Sequence, residues 1–162
     1  NSMQPELMWY KKTFTSLTTN ELYDILKLRI DIFVVEQACY YPDLDEHDRH
    51  SDTVHLFAYS LNEIKHNNNV IAAYLRILPK NTIYTDYISI GRVVIAPEYR
   101  GQKLGHLLMK KALKACEENF PGESIKISAQ AHLENYYQAY GFNRISDIYL
   151  EDNIPHIAML RL

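Results

Sequence analysis

Residues 93–113, VVIAPEYRGQKLGHLLMKKAL, begin as an apolar strand and end as an amphipathic helix. Between the two segments lie a proline, an arginine and the first of two glycines, Gly101 and Gly105. Leucines and alanines then repeat at intervals of three and four residues, which predicts a helix over 101–119. A strand that runs straight into a helix presents the first N–H groups of that helix, so the junction is suited to binding an anion such as phosphate.

Two nucleotide-binding motifs place phosphate on such a junction, and neither of them matches. A P-loop has four residues between its glycines, followed by lysine and then serine or threonine. Here three residues separate Gly101 from Gly105, and His106 follows. A dinucleotide-binding fingerprint needs three glycines and an acidic residue about 20 positions further on. The junction alone therefore fits a phosphate site and a simple glycine turn equally well.

The composition is that of an ordinary globular protein. The chain has 162 residues, of which 47% are hydrophobic and 23% charged, and this length predicts a single domain over 1–162. A net charge of −3 offers no overall attraction to nucleic acid or to an anionic membrane. No apolar run reaches the roughly 20 residues that span a bilayer. The two distant cysteines, Cys39 and Cys116, fit free thiols and a cytoplasmic location.

Hydrophobic periodicity predicts the order β-α-β-β-β-α-β-α-β-β, a mixed α/β domain with a central sheet. Thr18 precedes Glu21 by three residues and predicts a capping box at the first helix. Asn1 and Ser2, ahead of Met3, are typical of a cloning remnant and are left out of the prediction. The predicted strands are 7–14, 53–61, 70–78, 88–96, 124–131, 145–151 and 155–162, and the predicted helices are 19–30, 101–119 and 132–142.

The segment 39–52, CYYPDLDEHDRHSD, is acidic and irregular, which predicts a solvated loop. Its cysteine and histidines follow C-x₇-H-x₂-H, which is not a familiar zinc spacing. Its aspartates lack the glycine and the closing glutamate of a calcium-binding loop. No metal site is therefore predicted.

The junction resembles motif A of the GNAT superfamily of acetyl-coenzyme A-dependent N-acetyltransferases. That motif reads R/Q-x-x-G-x-G/A, and the segment 100–105 reads RGQKLG. Lys103 replaces the first glycine after the spacer. A left-handed lysine would cost about 1–2 kcal/mol, so we expect a right-handed backbone at Lys103.

Residues 130–142, QAHLENYYQAYGF, are similar to a later motif of the same superfamily, N-x-x-A-x-x-F-Y-x-K-x-G-F. More narrowly, RIDIFVVEQACYYPDLDEHD, IGRVV and YLEDNIPHIAM resemble its ElaA-like branch, so the similarity covers most of the chain. It implies a single-domain GNAT fold, with a mixed, mostly antiparallel sheet of six to seven strands flanked by helices. The sheet is expected to splay between its fourth and fifth strands.

The resemblance implies direct transfer of acetyl from acetyl-coenzyme A to the amine of a small molecule or peptide. The strand backbone would hold the pantetheine arm, the junction amides would hold the pyrophosphate, and a polar strand end with a tyrosine would complete the site. The implied coenzyme A-binding residues are Val93, Val94, Ile95, Arg100, Gly101, Gln102, Lys103, Leu104, Gly105, His106, Gln130 and Tyr137.

Two catalytic residues are expected. Tyr137 occupies the position that the family uses to protonate the departing thiolate. Some relatives carry a basic glutamate on the fifth strand, but Ile125 stands at that position here. Glu36 is the expected general base, with His132 or ordered water as alternatives. A site without a strong base would favour an amine of low pKa, such as an α-amine.

Other interpretations remain at this stage. The chain could be a coenzyme A-binding regulatory or sensor domain with little activity, or a nucleotide-binding protein that ATP stabilises and coenzyme A does not. The acidic segment 39–52, with Glu36 and Gln37, could border the acceptor cleft and favour a cationic amine. A homodimer is left open, and neither a nucleic acid nor a membrane is expected as partner.

Overall fold

A computed structural model describes residues 6–162 of the chain. Short 3₁₀ turns at Phe14–Ser16, Glu46–Arg49, Pro97–Tyr99 and Ala131–Leu133 join its main elements. Those elements, in chain order, are β1 (Leu7–Lys12), α1 (Thr19–Arg29), a π-helix (Ile30–Glu36), β2 (Val54–Lys65), β3 (Asn68–Leu78), β4 (Ser89–Ile95), α2 (Leu104–Asn119), β5 (Ile125–Gln130), α3 (Glu134–Gln138), β6 (Asn143–Arg144), β7 (Tyr149–Glu151) and β8 (Ile154–Arg161).

The strands form two four-stranded antiparallel sheets. The first has the order β1-β2-β3-β4, and the second has the order β5-β8-β6 with β7 also paired to β8. A parallel bridge between Ile88 and Ile125 joins the sheets where β4 and β5 begin. Ile88 donates to Ser124 at 3.1 Å and accepts from Lys126 at 2.9 Å. Past this bridge the two strands diverge, and a cavity that both of them line opens between them.

The predicted fold class is confirmed, because the domain is a mixed α/β structure of antiparallel sheets flanked by helices. The strand count differs, with eight strands instead of six to seven. The extra strand is β6, which lies just before the predicted strand 145–151 and is separated from β7 by residues 145–148. There the Ala158 amide donates to the Ser146 hydroxyl at 2.8 Å instead of to a backbone carbonyl, so only β7 remains of that strand.

The first helix begins as predicted and ends differently. The Thr18 hydroxyl accepts from the Glu21 amide at 3.0 Å, and the Glu21 carboxylate accepts from the Thr18 amide at 2.8 Å. After Arg29 the helix widens into the π-helix, where bonds such as Gln37 N–H to Ile32 O span five residues. Four of the seven residues there are β-branched, which disfavours the tighter α-helix. The wider turn brings Phe33 and Gln37 to the wall of the cavity.

The core lies between the sheets and helices α1 and α2. One face of α2 is buried against the first sheet, including Leu108, Met109 and Ala112 at 0% exposure. Arg29 and Arg76 are buried in the same region, which requires that their charges be compensated nearby. Across residues 6–162, none of the helices combines the length and the apolar character needed to cross a membrane.

Candidate active site

A cavity of about 360 Å³ separates β4 from β5. Gly91, Arg92 and Val93 line it from β4, and Ala129 and Gln130 line it from β5. Further wall residues come from the π-helix, the 39–52 segment, α3 and the β7–β8 hairpin, and these include Phe33, Gln37, Cys39, Tyr41, Asp45, Tyr137, Glu151, Asp152 and His156. The cavity therefore lies where the two sheets part, and strands of both sheets contribute to it.

A bulge shapes the β4 wall. Val94 pairs with Tyr74 and Gly91 pairs with Arg76, so Arg92 and Val93 together lie opposite one residue of β3. Arg92, one of the two bulged residues, has a positive φ of 54°. This backbone conformation is strained for a residue other than glycine. An extra residue leaves backbone polar groups out of the ladder. Since β3 pairs with only one edge of β4, the other edge is turned towards the cavity.

The junction between β4 and α2 is tighter than we expected. The helix starts at Leu104, not at residue 101, and both Gly101 (φ 78°) and Lys103 (φ 61°, ψ 18°) have left-handed backbones. The prediction that Lys103 would be right-handed is wrong. The chain reverses between a 3₁₀ turn and a helix within four residues, and the reversal imposes a left-handed conformation at residue 103 whichever side chain stands there. Lysine therefore carries a strain of about 1–2 kcal/mol at this position.

This geometry leaves the first N–H groups of α2 without helical acceptors. The first bond within the helix runs from the Leu107 amide to the Lys103 carbonyl. Amides before Leu107 have no carbonyl four residues earlier inside the helix, and the helix dipole adds partial positive charge there. Gly101, Lys103 and His106 are exposed at this end, so a ligand can reach it.

Arg100 and Glu36 lie beside the junction. An Arg100 Nη2 atom is 2.9 Å from Glu36 Oε1, and both side chains are 45% exposed. Arg100 Nε donates to the Ile95 carbonyl at 3.4 Å, and the Gln102 amide donates to the Glu98 carbonyl at 3.4 Å. Glu36 does not belong to the residues that line the cavity. The expected base therefore pairs with a cation of the junction.

Three tyrosines on and after α3 have different surroundings. Tyr136 donates its hydroxyl proton to the Gly105 carbonyl at 2.6 Å, and the Tyr140 hydroxyl is hydrogen-bonded to His106 Nδ1. These two tyrosines tie α3 to the start of α2. Tyr137 lines the cavity and is 7% exposed. Burial raises the pKa of Tyr137 to about 12, so its hydroxyl is protonated at neutral pH.

The acidic segment 39–52 is irregular apart from one 3₁₀ turn, as predicted, but it is not fully solvated. Asp43 and Asp48 are buried, and they accept from Arg29 at 2.9 and 2.7 Å. Arg76 donates to Asp48 at 2.8 Å and to Asp45 at 2.7 Å. We call these five residues the ionic cluster. The aspartates of this segment supply counter-charge to Arg29 on α1 and Arg76 on β3, which would otherwise be buried as unpaired charges.

The ionic cluster also sets the pKa values of its carboxyl groups. For Asp45, burial acts to raise the pKa, but the hydrogen bonds and charge of Arg76 outweigh it and hold the value at about 2. For Asp48, burial is opposed by Arg29 and Arg76, and the pKa is likewise lowered. Both groups are therefore ionised at neutral pH. They hold the wall of the cavity in place and have little freedom to bind an acceptor amine by themselves.

The β7–β8 hairpin brings a polar group of residues to the cavity that sequence reasoning missed. His156 is 7% exposed, pairs across the sheet with Gln130 on one side and Tyr149 on the other, and lies 3.5 Å from the Glu151 carboxylate. Ser128 donates to Glu151 at 3.0 Å. The segment YLEDNIPHIAM contained the signal, because a tight hairpin turn over Asp152 and Asn153 places Glu151 and His156 near one another.

Three further features of the sequence are His132, the candidate metal ligands and the two cysteines. His132 is exposed on the 3₁₀ turn after β5 and does not line the cavity. Within residues 6–162, no three histidine, cysteine, aspartate or glutamate side chains are grouped so that they could hold a metal ion. Cys39 and Cys116 are free thiols, and burial raises the pKa of Cys116 to about 12.

Comparison with known proteins identifies the family to which this fold belongs. A family model described as an acetyltransferase (GNAT) domain matches residues 53–161. The chain therefore belongs to the GNAT acetyltransferase family, and it is an N-acetyltransferase by that membership.

Its relatives place it in the ElaA-like branch. It is 39% identical to protein ElaA of Escherichia coli K12 over 153 residues, which cover 94% of this chain and 95% of that protein. The crystal structure of E. coli ElaA superposes with a TM-score of 0.85 at 36% identity, covering 97% of this chain and 100% of that one. An acyl-CoA N-acyltransferase from Pseudomonas aeruginosa superposes with a TM-score of 0.87 at 43% identity, with the same coverage.

Proposed function

We propose that this protein binds acetyl-coenzyme A between β4 and β5 and transfers the acetyl group directly to the amine of a small molecule or peptide. The observation that carries the proposal is the cavity itself. It opens where the sheets part, it is walled by the unpaired edge of β4, and it contains a buried, protonated tyrosine. The similar P. aeruginosa protein is an acyl-CoA N-acyltransferase, which supports the same reaction class.

The elongated coenzyme would be held by backbone groups over most of its length. The pantetheine arm carries amides, which can pair with the free edge of β4 at Val93, Val94 and Ile95 as another strand would. The pyrophosphate would accept from the N–H groups of residues 101–106, where the helix dipole is favourable. Arg100 and Lys103 add full positive charges there. Gln130, at the end of β5, can donate or accept opposite this arm.

Tyr137 would supply the proton that the departing thiolate needs. Acetyl-coenzyme A contributes an activated thioester, and its thiol has an ordinary pKa of about 8.5. A hydroxyl with a pKa near 12 stays protonated until sulfur charge develops beside it. General acids of this kind contribute about 10²- to 10⁴-fold to a rate.

The position of Glu36 favours a supporting role over that of base. Its carboxylate holds Arg100 beside the helix start, at the end of the cleft where the pyrophosphate would lie. The acceptor amine has to meet the thioester inside the cavity, which Glu36 does not line. Glu36 therefore orients Arg100 in the proposed complex.

Thiol release from acetyl-coenzyme A over a panel of primary amines and peptides tests the proposal. We expect release that depends on both enzyme and amine, with the acetylated amine identified by mass spectrometry. Saturable binding of coenzyme A without release over the whole panel would instead support a sensor domain. Thermal stabilisation by ATP but not by coenzyme A would support a nucleotide-binding protein and would overturn the proposal.

A further inference from the structure

The hydrogen bonds around His156 determine which of its ring nitrogens can act as a base. Nδ1 is 2.7 Å from the Ile154 carbonyl, and a carbonyl can only accept, so Nδ1 carries a proton. In the neutral ring, Nε2 is then an acceptor. This is the arrangement in which one nitrogen is held by a backbone group while the other is free to take a proton.

The nearest group to that free nitrogen is another acceptor. Glu151 Oε2 lies 3.5 Å from His156 Nε2, while Ser128 donates to the other carboxylate oxygen, Oε1, at 3.0 Å. The Ser128 hydroxyl is in turn 2.6 Å from the Tyr149 hydroxyl. When the ring is neutral, His156 Nε2 and Glu151 Oε2 are therefore two acceptors 3.5 Å apart. A donor that carries positive charge and several N–H groups can bridge both acceptors from the cavity side, and a primary ammonium has these properties.

The pair also lies in the right place for an acceptor. His156, Glu151, Ser128 and Tyr137 all line the one cavity between the sheets, and His156 is directly across the ladder from Gln130. His156 is buried, but Glu151 is half exposed, so a cation entering from solvent meets the carboxylate first. The hairpin therefore places the Glu151 carboxylate at the entrance of the cavity and the buried His156 ring behind it.

We propose that the β7–β8 hairpin is the acceptor site, where Glu151 binds a primary ammonium and His156 Nε2 removes its proton. This assignment rests on the proposed acetyl transfer and names the base and the substrate class of that reaction. The first ammonium proton goes to His156, and the free amine forms its C–N bond as the C–S bond breaks. Tyr137 protonates the thiolate, the second amine proton restores Tyr137, and the imidazolium returns its proton to solvent.

Other charged groups around His156 come from several elements. Glu151 and Tyr149 face it from β7, where the Tyr149 ring is stacked 6.3 Å away, and Asp152 follows in the turn. The remaining ionisable residues of the cavity wall are Cys39, Tyr41, Asp45, Arg76, Tyr84, Arg92 and Tyr137. Asp45 and Arg76 neutralise each other at 2.7 Å, and Arg92 lies 3.0 Å from Asp43. Glu151 is thus the carboxylate within ion-pair distance of the imidazole, at 3.5 Å.

Two nearly isosteric amines separate proton removal from binding. Ethylamine is protonated at neutral pH, whereas trifluoroethylamine is largely not. With His156→Asn, whose amide can still donate to the Ile154 carbonyl, we expect kcat/KM at neutral pH to fall about 10²-fold or more for ethylamine and much less for trifluoroethylamine. The loss should diminish as pH rises and ethylamine deprotonates. Equal losses for both amines at every pH would mean a structural role and would overturn the assignment.

Glu151→Gln tests the counter-charge. It should raise KM for ethylamine more than for trifluoroethylamine, while a change confined to kcat would contradict ammonium binding. His66→Asn is the matched control, since His66 is exposed in the β2–β3 turn and does not line the cavity, and it should leave the kinetics with both amines unchanged.

A binding measurement keeps the assignment separate from the proposed function. In protein labelled at histidine, ethylammonium should shift the NMR signals of the His156 ring in a saturable way, and Glu151→Gln should weaken that shift. Failure of acetyl transfer with the shift intact would overturn the proposed function but leave the ammonium site. Absence of the shift would overturn the site even if transfer to some amine were observed.

Discussion

Tyr136 and Tyr137 are neighbours in the chain and have opposite roles in the structure. The Tyr136 hydroxyl donates to the Gly105 carbonyl, and burial raises the pKa of Tyr136 above that of an ordinary tyrosine. The Tyr137 ring packs against Phe142, and the Tyr137 side chain lines the cavity. A helix of five residues can place adjacent side chains on different faces, so one secures α2 and the other is available for chemistry.

Tyr137→Phe removes the proposed acid without removing the ring. We expect kcat to fall at least about tenfold, because the thiolate would leave without a proton donor. The affinity for coenzyme A, measured by calorimetry, should be almost unchanged. Tyr136→Phe is the control, and it should affect thermal stability more than turnover. Unchanged turnover in Tyr137→Phe would remove the tyrosine from the mechanism.

Lys103 adopts a conformation that its side chain disfavours. The family motif has glycine at this position, whereas this chain has a lysine with a left-handed backbone. In the proposed complex this turn would direct the amides of 101–106 towards the pyrophosphate. The lysine also brings a positive charge to the same place.

Lys103→Gly should relieve the strain at residue 103. We expect the free energy of unfolding to rise by about 1 kcal/mol, which for a domain of this size corresponds to a Tm about 2–4 °C higher. Lys103→Ala keeps a Cβ in the left-handed region and should show no such gain. A lower Tm in the glycine variant would mean that the lysine side chain has stabilising contacts that outweigh the strain.

Among the elements, the segment 39–52 departs most from its sequence pattern. A run of aspartates and histidines is usually solvated. This one is partly buried because Arg29 on α1 and Arg76 on β3 supply counter-charges to its aspartates. No local spacing links these positions, because they meet only once the fold has formed. His55 belongs to the same buried region, and burial lowers its pKa while it donates to the Asp48 carbonyl at 2.9 Å.

The ionic cluster predicts how stability depends on pH. Asp45 has a folded-state pKa of about 2 and an unfolded value near 3.9, and the pKa of Asp48 is lowered as well. Between these values the unfolded chain binds more protons, so stability is fully present above about pH 4 and is lost as pH falls towards about 2. Urea unfolding across this range should show a shallower pH dependence in Asp45→Asn. An identical dependence in the variant would remove Asp45 from the acid transition.

The sequence predicted elements with local signals well. The capping box at Thr18 and the periodicity of α2 depend on residues within one or two helical turns, and both were found. The backbone at Lys103 was mispredicted because the conformation is imposed by the connection between two elements, not by the residue. The proximity of Glu151 to His156 depends on the register of the hairpin, which the alternation of residues in β8 alone does not specify.

In the whole molecule, the decisive feature is the divergence of two antiparallel sheets after one parallel bridge. Sheets joined only at the start of β4 and β5 leave the far ends of both strands open to a ligand. Tyr137 of α3 and the β7–β8 hairpin line that opening. In the proposed reaction they would supply proton donation and an acceptor site, and the start of α2 would supply anion binding.

A crystal structure with coenzyme A would test the central claim most directly, through the position of its sulfur atom. We expect the sulfur to lie within hydrogen-bonding range of the Tyr137 hydroxyl, about 3–4 Å, with the pyrophosphate on the amides of 101–106. The pantetheine arm should run along the open edge of β4. Coenzyme A bound outside the cleft between β4 and β5, or with its sulfur remote from Tyr137, would contradict the account.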